Sequence, residues 1–263
     1  MPDNVDTHEN YKGSIKNNFS RRAHIYDGYA NVQCLAANFL IEKTYSRKAE
    51  RILEIGCGTG NYTALLKERF PGAYILALDN APDMIRHAEK KIQIGSVEFI
   101  VADAEEFAPD GKFDLITSNA AFQWLSDPER AIAGYRGALT EKGALIFSMF
   151  GPLTFTELDY SLKEALGSGY SINAARFLLK DRIETILKKY FEKSVVEEKI
   201  IKEDFSSLME LLDKIRCTGV RGMGMGNMFL WKKKLLTEAE NIYRSRFGKI
   251  EASYQIFLCG AVK

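Results

Sequence analysis

The most constraining feature of the sequence is a glycine-rich turn between an apolar run and an amphipathic stretch. The run Leu53–Ile55 leads directly into Gly56, Gly58 and Gly60, with one residue between successive glycines. Glycine lets the main chain turn tightly and lets a ligand approach the backbone amides closely. Such a loop after a strand and before a helix indicates a ligand site at the edge of an α/β sheet.

Short apolar runs alternate with amphipathic stretches around this turn. The expected strands are Ile52–Ile55, Tyr74–Leu78, Val97–Val101, Phe113–Thr117, Ala144–Phe150, Val195–Lys202 and Tyr254–Val262. The expected helices lie at about 60–70, 81–92, 127–139, 204–217 and 231–247. This alternation predicts a parallel sheet wrapped by helices, with ligands at the carboxyl ends of the strands.

Composition excludes several classes of protein. In the 263 residues, 36 Lys and Arg face 35 Asp and Glu, and a net charge of +1 argues against coating nucleic acid. The four cysteines are scattered, so neither a disulfide framework nor a zinc site is predicted. The polar beginning, MPDNVDTHENYKGS, is unlike a signal peptide, and no apolar run approaches the ~20 residues of a membrane span. A cytoplasmic setting is the default expectation.

The spacing of the glycines argues against a nicotinamide dinucleotide. That fingerprint is G-x-G-x-x-G/A, whereas Asn61 stands here where the third small residue belongs. Glu54, directly before the loop, is a poor neighbour for a pyrophosphate but suits an ammonium or a sulfonium. Asp79 ends the next strand, where a carboxylate can accept hydrogen bonds from a ribose diol.

On these residues the chain resembles the class I S-adenosylmethionine-dependent methyltransferases, over about residues 17–150. The resemblance implies a Rossmann-like sheet of seven mostly parallel strands, with an N-terminal helix and a helical lid inserted after the fifth strand. It implies that Asp79 binds the ribose, that Asp103 and Ala104 read the adenine edge, and that Asn119 faces the reacting methyl group. The full set expected to bind S-adenosylmethionine is Arg21, Tyr26, Glu54, Gly56, Cys57, Gly58, Gly60, Asp79, Asn80, Met84, Asp103, Ala104, Asn119 and Phe122.

Further stretches are similar to the malonyl-[acyl-carrier protein] O-methyltransferases of biotin synthesis. They are Asn17–Asp27, Ser118–Leu125, Arg176–Leu178, Ile215–Val220 and Ser253–Leu258. Ser118–Leu125 also resembles the trans-aconitate methyltransferases, which likewise methylate a carboxylate. A small-carboxylate methyltransferase, a methyltransferase-like binding subunit without turnover and an RNA methyltransferase remain alternatives, although no aromatic-interleaved nucleic-acid motif supports the last.

Methylation of a carboxylate needs no general base, because the acceptor is already ionised at neutral pH. Alignment of the reactants and exclusion of water then carry the catalysis. Arg176 and Arg216 are the candidate clamps for the substrate carboxylate, since a guanidinium matches a carboxylate. Tyr26 and Trp124 are expected to surround the sulfonium and to exclude water. No residue is predicted to bind a metal.

The resemblance also implies a partner, an acidic acyl carrier protein that carries the malonyl group. Nine basic residues lie between Lys214 and Lys249 against only Glu238 and Glu240, so the segment carries +7. Such a basic face is suited to steering an acidic protein. Neither a nucleic acid nor a membrane is expected as a partner.

We expect a disordered lead at 1–14 and a single methyltransferase domain at 15–263. Within the domain, 15–45 is an entrance helix, 46–151 the cofactor-binding core, 152–250 a substrate lid and partner-binding region, and 251–263 the last strand. The Gly222–Gly226 stretch is the most flexible by composition.

Overall fold

The computed structural model describes residues 5–92, 95–167, 169–218 and 233–263. Its centre is a sheet of seven strands, β1 (Arg51–Ile55), β2 (Tyr74–Asp79), β3 (Val97–Val101), β4 (Phe113–Ser118), β5 (Leu139–Phe150), β6 (Lys193–Phe205) and β7 (Ile250–Val262). They lie side by side in the order β3-β2-β1-β4-β5-β7-β6. Strands β1 to β5 are parallel, and β7 is antiparallel to both β5 and β6. The predicted seven-stranded, mostly parallel sheet is confirmed.

Burial on both faces explains why the central strands are nearly continuous apolar runs. Successive side chains of a strand point to opposite faces of the sheet. Ile52 accordingly packs in the core on one side, and Leu53 packs in the core on the other. Edge strand β6 instead alternates between exposed and half-buried side chains.

The strand register brings the carboxyl ends of the central strands together. Glu54 of β1 lies opposite Ala77 of β2 on one side and Thr117 of β4 on the other. The glycine loop after β1, Asp79 at the end of β2 and the residues after β4 therefore meet at one edge of the sheet.

Nine helices are described around the sheet. They are α1 (Val5–Tyr26), α2 (Asn31–Glu42), α3 (Asn61–Arg69), α4 (Pro82–Lys91), α5 (Pro128–Ala138), α6 (Thr156–Leu166), α7 (Lys180–Tyr190), α8 (Leu208–Cys217) and α9 (Lys233–Phe247). Short 3₁₀ turns occur at Phe122–Trp124 and Asn173–Arg176. None of these helices is long and apolar enough to cross a bilayer.

The N-terminal region differs from the predicted disordered lead and single entrance helix. Helix α1 already begins at Val5, and a turn at Asp27–Tyr29 separates it from α2. The Asp27 carboxylate accepts hydrogen bonds from the Thr59 hydroxyl at 2.5 Å, the Asn61 amide at 3.0 Å and Lys91 at 2.7 Å. These contacts anchor the end of α1 to the glycine loop and to α3 and α4, and the apolar periodicity of residues 17–45 gave no sign of them.

The region after β5 contains the predicted helices, with α6 and α7 between β5 and β6, and they pack on both faces of the sheet. Helix α7 packs on α5 and β6, and its Ile183 and Leu187 belong to the core on one face of the sheet. Helices α6, α8 and α9 pack on one another or on β7 and extend the opposite core. A lid role for this region stays a prediction, and the Gly222–Gly226 stretch lies outside the described residues.

Candidate functional site

A deep cavity opens at the carboxyl ends of β1 to β4 and is covered on one side by α1. It encloses about 950 Å³ with its open mouth included. The glycine loop and the ends of β2, β3 and β4 form the sheet side of its wall, while Lys12, Ile15, Phe19 and Tyr26 come from α1.

The three glycines of the loop are required for two different reasons. All have positive φ angles, of +68° at Gly56, +55° at Gly58 and +83° at Gly60. A Cβ on Gly56 would lie 2.5 Å from the Cβ of Ala121, and one on Gly60 would lie 3.1 Å from that of Ala88. A Cβ on Gly58 would meet no protein atom within 4 Å and would stand at the wall of the cavity. Gly58 therefore leaves room for a ligand, whereas its two neighbours are needed for packing.

Asp79 is held in place by main-chain amides. Its Oδ2 accepts from the amide of Gly58 at 3.0 Å, and its Oδ1 accepts from that of Ala81 at 2.8 Å. Burial raises the pKa of Asp79, although backbone N–H groups, including that of Asn80, oppose the rise. A ligand that donates further hydrogen bonds to this carboxylate would stabilise its ionised form.

Lys12 of α1 reaches into the cavity and bridges two carboxylates. Its ammonium lies 3.0 Å from Asp103 and 2.6 Å from Glu105. Burial alone would lower the pKa of Lys12, but its hydrogen bonds to Glu105 and Asp103 produce a net rise. The Asp103 carboxylate, expected to read an adenine amine, is thus already paired with a cation in this structure.

Hydrogen bonds fix the tip of β4. Asn119 accepts from the Ser148 hydroxyl at 2.7 Å and donates to the main-chain oxygen of Gln33 at 3.0 Å. The next residue, Ala120, has φ +52°, a left-handed conformation that is unfavourable for alanine. Strained backbone of this kind is often found at functional sites.

Aromatic rings form a row along the wall. Phe19 contacts Tyr26 edge-on at 6.2 Å and Trp124 at 5.8 Å, and Trp124 contacts Phe177 at 5.8 Å between ring centroids. Aromatic faces attract cationic ligands and exclude water. The row of rings ends at Phe177, which lines a second space beside the cavity.

This second space, the inner chamber, is a recess much smaller than the cavity. It adjoins the cavity, and Gln33, Trp124, Phe150 and Thr218 line both spaces. The side-chain oxygen Oε1 of Gln33 is buried without a hydrogen-bond partner among the described residues. A ligand that donates a hydrogen bond at the border of the two spaces is in a position to satisfy this oxygen.

Most residues expected to hold the cofactor line the cavity. They are Tyr26, Gly56, Gly58, Asp79, Asn80, Met84, Asp103, Ala104 and Asn119, together with Trp124. The expected residues that do not line it in the described structure are Arg21, Glu54, Cys57, Gly60 and Phe122. Their individual roles toward a ligand stay predictions.

Core packing explains why two of these residues are absent from the wall. Phe122 is only 1% exposed and stacks on Phe147 with the ring centroids 4.1 Å apart. Cys57 belongs to the core below the loop. Neither side chain is therefore free to contact the contents of the cavity.

Glu54 lies beneath the glycine loop rather than at the cavity surface. Burial raises the pKa of Glu54 to about 8, with the Thr63 hydroxyl opposing the rise and the charge of Asp79 adding to it. Its Oε2 is buried and has no hydrogen-bond partner among the described residues. A cation bound close to this carboxyl would lower its pKa again, so the predicted pairing with an ammonium or sulfonium stays a prediction.

The arginines predicted to bind carboxylates lie elsewhere. Arg21 and Arg176 are exposed. Arg216 on α8 pairs with Asp213 of the same helix at 2.7 Å. None of the three lines the cavity or the inner chamber in the described structure, so their predicted roles receive no support from their positions.

The basic segment is less charged at the surface than its sequence indicates. Lys214 pairs with Glu203, Arg244 with Glu240, and Lys249 with Asp204 and Glu251. Most of these acidic partners lie outside the segment. Counting charges along the segment therefore overestimated the unpaired positive charge on this part of the surface. Arg221 and Lys232 fall outside the described residues.

Sequence reasoning missed several residues of the site, among them Lys12, Phe19, Gln33 and Lys214. For Lys214 there was a signal. It lies on α8 between the buried Leu211, Ile215 and Thr218, so a lysine occupies the apolar stripe of an amphipathic helix. For Lys12 no local signal existed, because its partners Asp103 and Glu105 are distant in sequence.

Comparisons with known proteins agree with this geometry. Residues 53–147 match the family model described as "Methyltransferase domain". The chain is 34% identical to the malonyl-[acyl-carrier protein] O-methyltransferase of Acetivibrio thermocellus, covering 96% of this chain and 94% of that protein. It is 36% identical to the protein of the same name from Paenibacillus sp., covering 95% and 98%. The phosphoethanolamine N-methyltransferase 2 of Haemonchus contortus, solved with S-adenosyl-L-methionine, has the same fold, with a TM-score of 0.56, 19% identity and coverage of 92% of this chain and 57% of that one.

Proposed function

The chain belongs to the malonyl-[acyl-carrier protein] O-methyltransferase family, and from this premise we propose that it methylates the free carboxylate of malonyl-acyl carrier protein, an early step of biotin synthesis. The observation that carries the proposal is the likeness to these relatives over more than nine-tenths of both chains. The activity is that of a carboxyl O-methyltransferase, with S-adenosylmethionine as the methyl donor and S-adenosylhomocysteine as the product.

The cavity supports this choice of donor. Gly58 offers a wall without a side chain, where a methionine moiety can approach the backbone. Asp79 offers a carboxylate for a ribose diol, and Asp103 with Ala104 offers an acceptor and an amide for an adenine edge. Tyr26, Phe19 and Trp124 supply aromatic surface for a sulfonium.

The chemistry fits the residues that line the cavity. Bound S-adenosylmethionine supplies a methyl group on a sulfonium, so the acceptor carboxylate gains a C–O bond as the S–C bond breaks, and no proton moves. The protein therefore has to align two ligands and exclude water rather than remove a proton. No histidine lines the cavity in the described ranges, which agrees with this requirement.

The partner in this proposal is an acyl carrier protein. Exposed cations of the Lys214–Lys249 segment, such as Lys234 and Arg246, are candidates for its docking face. Many other cations of the segment are paired with carboxylates, so only some of its basic residues are candidates for contact with the carrier protein. The proposed setting is the cytoplasm, where the free thiols of all four cysteines would be maintained.

The test is a substrate panel with S-adenosylmethionine labelled in its methyl group. We expect label on malonyl-acyl carrier protein, as a base-labile methyl ester, and none on the acetyl form, which lacks the carboxylate. Malonyl-coenzyme A and trans-aconitate serve as further acceptors. Transfer to trans-aconitate without transfer to either malonyl thioester would refute the proposal in favour of a small-molecule carboxylate methyltransferase.

A further inference from the structure

The inner chamber has one charged side chain on its described wall, that of Lys214. The side chain of Lys214 is only 8% exposed, and its ammonium contacts both carboxylate oxygens of Glu203 on β6. Glu203 itself does not line the chamber. An ammonium has three N–H donors, and two bonds to Glu203 leave a third for a ligand.

Glu203 is itself fixed by a further contact. The hydroxyl of Tyr254 donates to its Oε2 at 3.2 Å, and the rings of Tyr254 and Phe205 lie about 6 Å from the Lys214 ammonium. The cation is thus positioned by three side chains from β6 and β7. Such support is typical of a group that must point in a defined direction.

Stability alone is a weak reason for this arrangement. A buried ion pair is often no more stabilising than apolar side chains of similar volume, because both charges lose their hydration. The chamber wall also contains Phe155, which has φ +60° and is, with Ala120, one of the two described non-glycine residues of positive φ. A strained backbone and a buried cation at one small space indicate a binding site.

We propose that the inner chamber binds the acceptor carboxylate, with Lys214 as its cation and the side-chain N–H group of Gln33 as a second hydrogen-bond donor at the border with the cofactor cavity. This inference rests on the proposed function and names the carboxylate receptor of that same site. Gln33 lines both spaces, so it is placed where donor and acceptor meet.

Glu203 gives this receptor a property that a lone cation lacks. A carboxylate acceptor must be bound and still be nucleophilic. Glu203 neutralises most of the charge of Lys214, so the acceptor gains a hydrogen bond without a full ion pair. The acceptor is thereby oriented while its electron density stays available for attack.

The experiment measures recognition of the carboxylate without turnover. Protein saturated with S-adenosylhomocysteine is titrated with malonyl-pantetheine and with its uncharged carboxamide analogue. The unsubstituted protein is expected to prefer the carboxylate by about tenfold to a hundredfold, the effect of a hydrogen bond between charged groups. Lys214→Met is expected to remove this preference and to leave the affinity for S-adenosylhomocysteine unchanged.

Two further variants separate recognition from folding. Lys214→Met alone leaves Glu203 without its partner, so the double variant Lys214→Met/Glu203→Gln removes both charges and is expected to lose the preference as well. Lys202→Met, on β6 next to Glu203, breaks a pair with Glu251 outside the chamber and is expected to retain the preference. Melting temperatures and S-adenosylhomocysteine affinity verify that each variant is folded.

Three results would overturn the assignment. They are an unchanged preference in the folded Lys214 variants, no preference in the unsubstituted protein, and loss of the preference in Arg216→Met but not in Lys214→Met. The proposed function fails separately, in the labelled-methyl panel. A protein that methylates only trans-aconitate would refute malonyl transfer, while loss of carboxylate preference in Lys214→Met would still support the receptor.

Discussion

The cavity beside the glycine loop and the inner chamber are built in different ways. Main-chain amides and two carboxylates at the strand ends, those of Asp79 and Asp103, form much of the first wall. Side chains from α2, β5, α8 and β7 form much of the wall of the inner chamber. Two of its residues, Gln33 and Tyr254, are more than 200 positions apart in the sequence. The first wall is therefore encoded in short segments, and the second exists only after the whole chain has folded.

The difference has a physical origin. A strand, a glycine turn and the next helix are neighbours in the chain, so their geometry follows from local backbone preferences. A chamber between a sheet and several helices depends on how those helices pack, which is decided by distant apolar contacts. Substitutions in the two walls should consequently separate binding of the donor from binding of the acceptor.

The largest effect is expected from Gly58→Val. The added side chain would stand at the cavity wall, and a β-branched residue is strained at φ +55°. We expect binding of S-adenosylmethionine to fall by more than about 1000-fold in calorimetry. Gly248→Val is the matched control, because Gly248 also has a positive φ, of +78°, and open space around it, but does not line the cavity. Equal losses in both variants would show that backbone strain, and not the lost space, explains the effect.

The next largest effect is a change in stability at Glu54, which lies beneath the glycine loop of the cavity. Its pKa is about 8 in the folded protein against 4.5 in its unperturbed state. Between these values the folded protein holds a proton that the unfolded chain releases, so stability falls as the pH rises from about 4.5 to about 8. Glu54→Gln should raise the free energy of unfolding on the order of a few kcal/mol above about pH 8 and by little below about pH 4.5.

Urea unfolding at several pH values measures this change in stability. The affinity of Glu54→Gln for S-adenosylmethionine then tests whether the side chain contacts the cofactor. Unchanged affinity in Glu54→Gln would agree with a position beneath the loop. A large loss of affinity would instead show that Glu54 contacts the cofactor, as the sequence resemblance implies.

A smaller effect is expected from Asp79→Ala. Loss of hydrogen bonds to a charged group should weaken binding of S-adenosylmethionine by about 1.5–3 kcal/mol. Asp79→Asn keeps an acceptor for the Gly58 amide and tests how much of the loss comes from the loop itself. Asp83→Ala, which breaks only an exposed pair with Arg86, is the control. Affinity of the malonyl probe should stay unchanged in all three, and an equal loss for both ligands would contradict the division into two walls.

The smallest effect is expected from Lys12→Ala. The ammonium of Lys12 competes with any ligand amine for Asp103, and a partly exposed pair of this kind contributes roughly 0.2–1 kcal/mol. S-adenosylhomocysteine should therefore bind about two- to fivefold more tightly to the variant. Lys16→Ala, an exposed position on the same helix, should change nothing. Weaker binding to Lys12→Ala would show that the lysine closes the cavity rather than competing for it.

The fold was largely predictable, because apolar runs and glycine turns are local signals. Strand β3 was predicted with the bounds that the structure has, and α3 and α4 within a residue or two. The break between α1 and α2 was not predicted, although Gly28 lies there. The apolar periodicity continues across it, and the contacts of Asp27 that fix the break come from distant residues.

The site was predictable only where it is built from motifs. Gly58, Asp79 and Asp103 were placed at the cavity from their positions after strands. Phe122 was predicted at the wall, yet the 3₁₀ turn directs its ring into the core against Phe147. Lys214 was counted as one charge among nine, since its glutamate partner lies on another element.

The side chains shared by the two spaces also affect how such enzymes can change their acceptor substrate during evolution. Gln33, Trp124, Phe150 and Thr218 line both spaces, so we expect a substitution there to disturb the proposed donor and acceptor sites together. Substitutions at Phe177 or Tyr254, which line only the inner chamber, are expected to affect only the proposed acceptor site. A lineage can thus acquire a new acceptor through changes in a few side chains while it inherits the donor site intact.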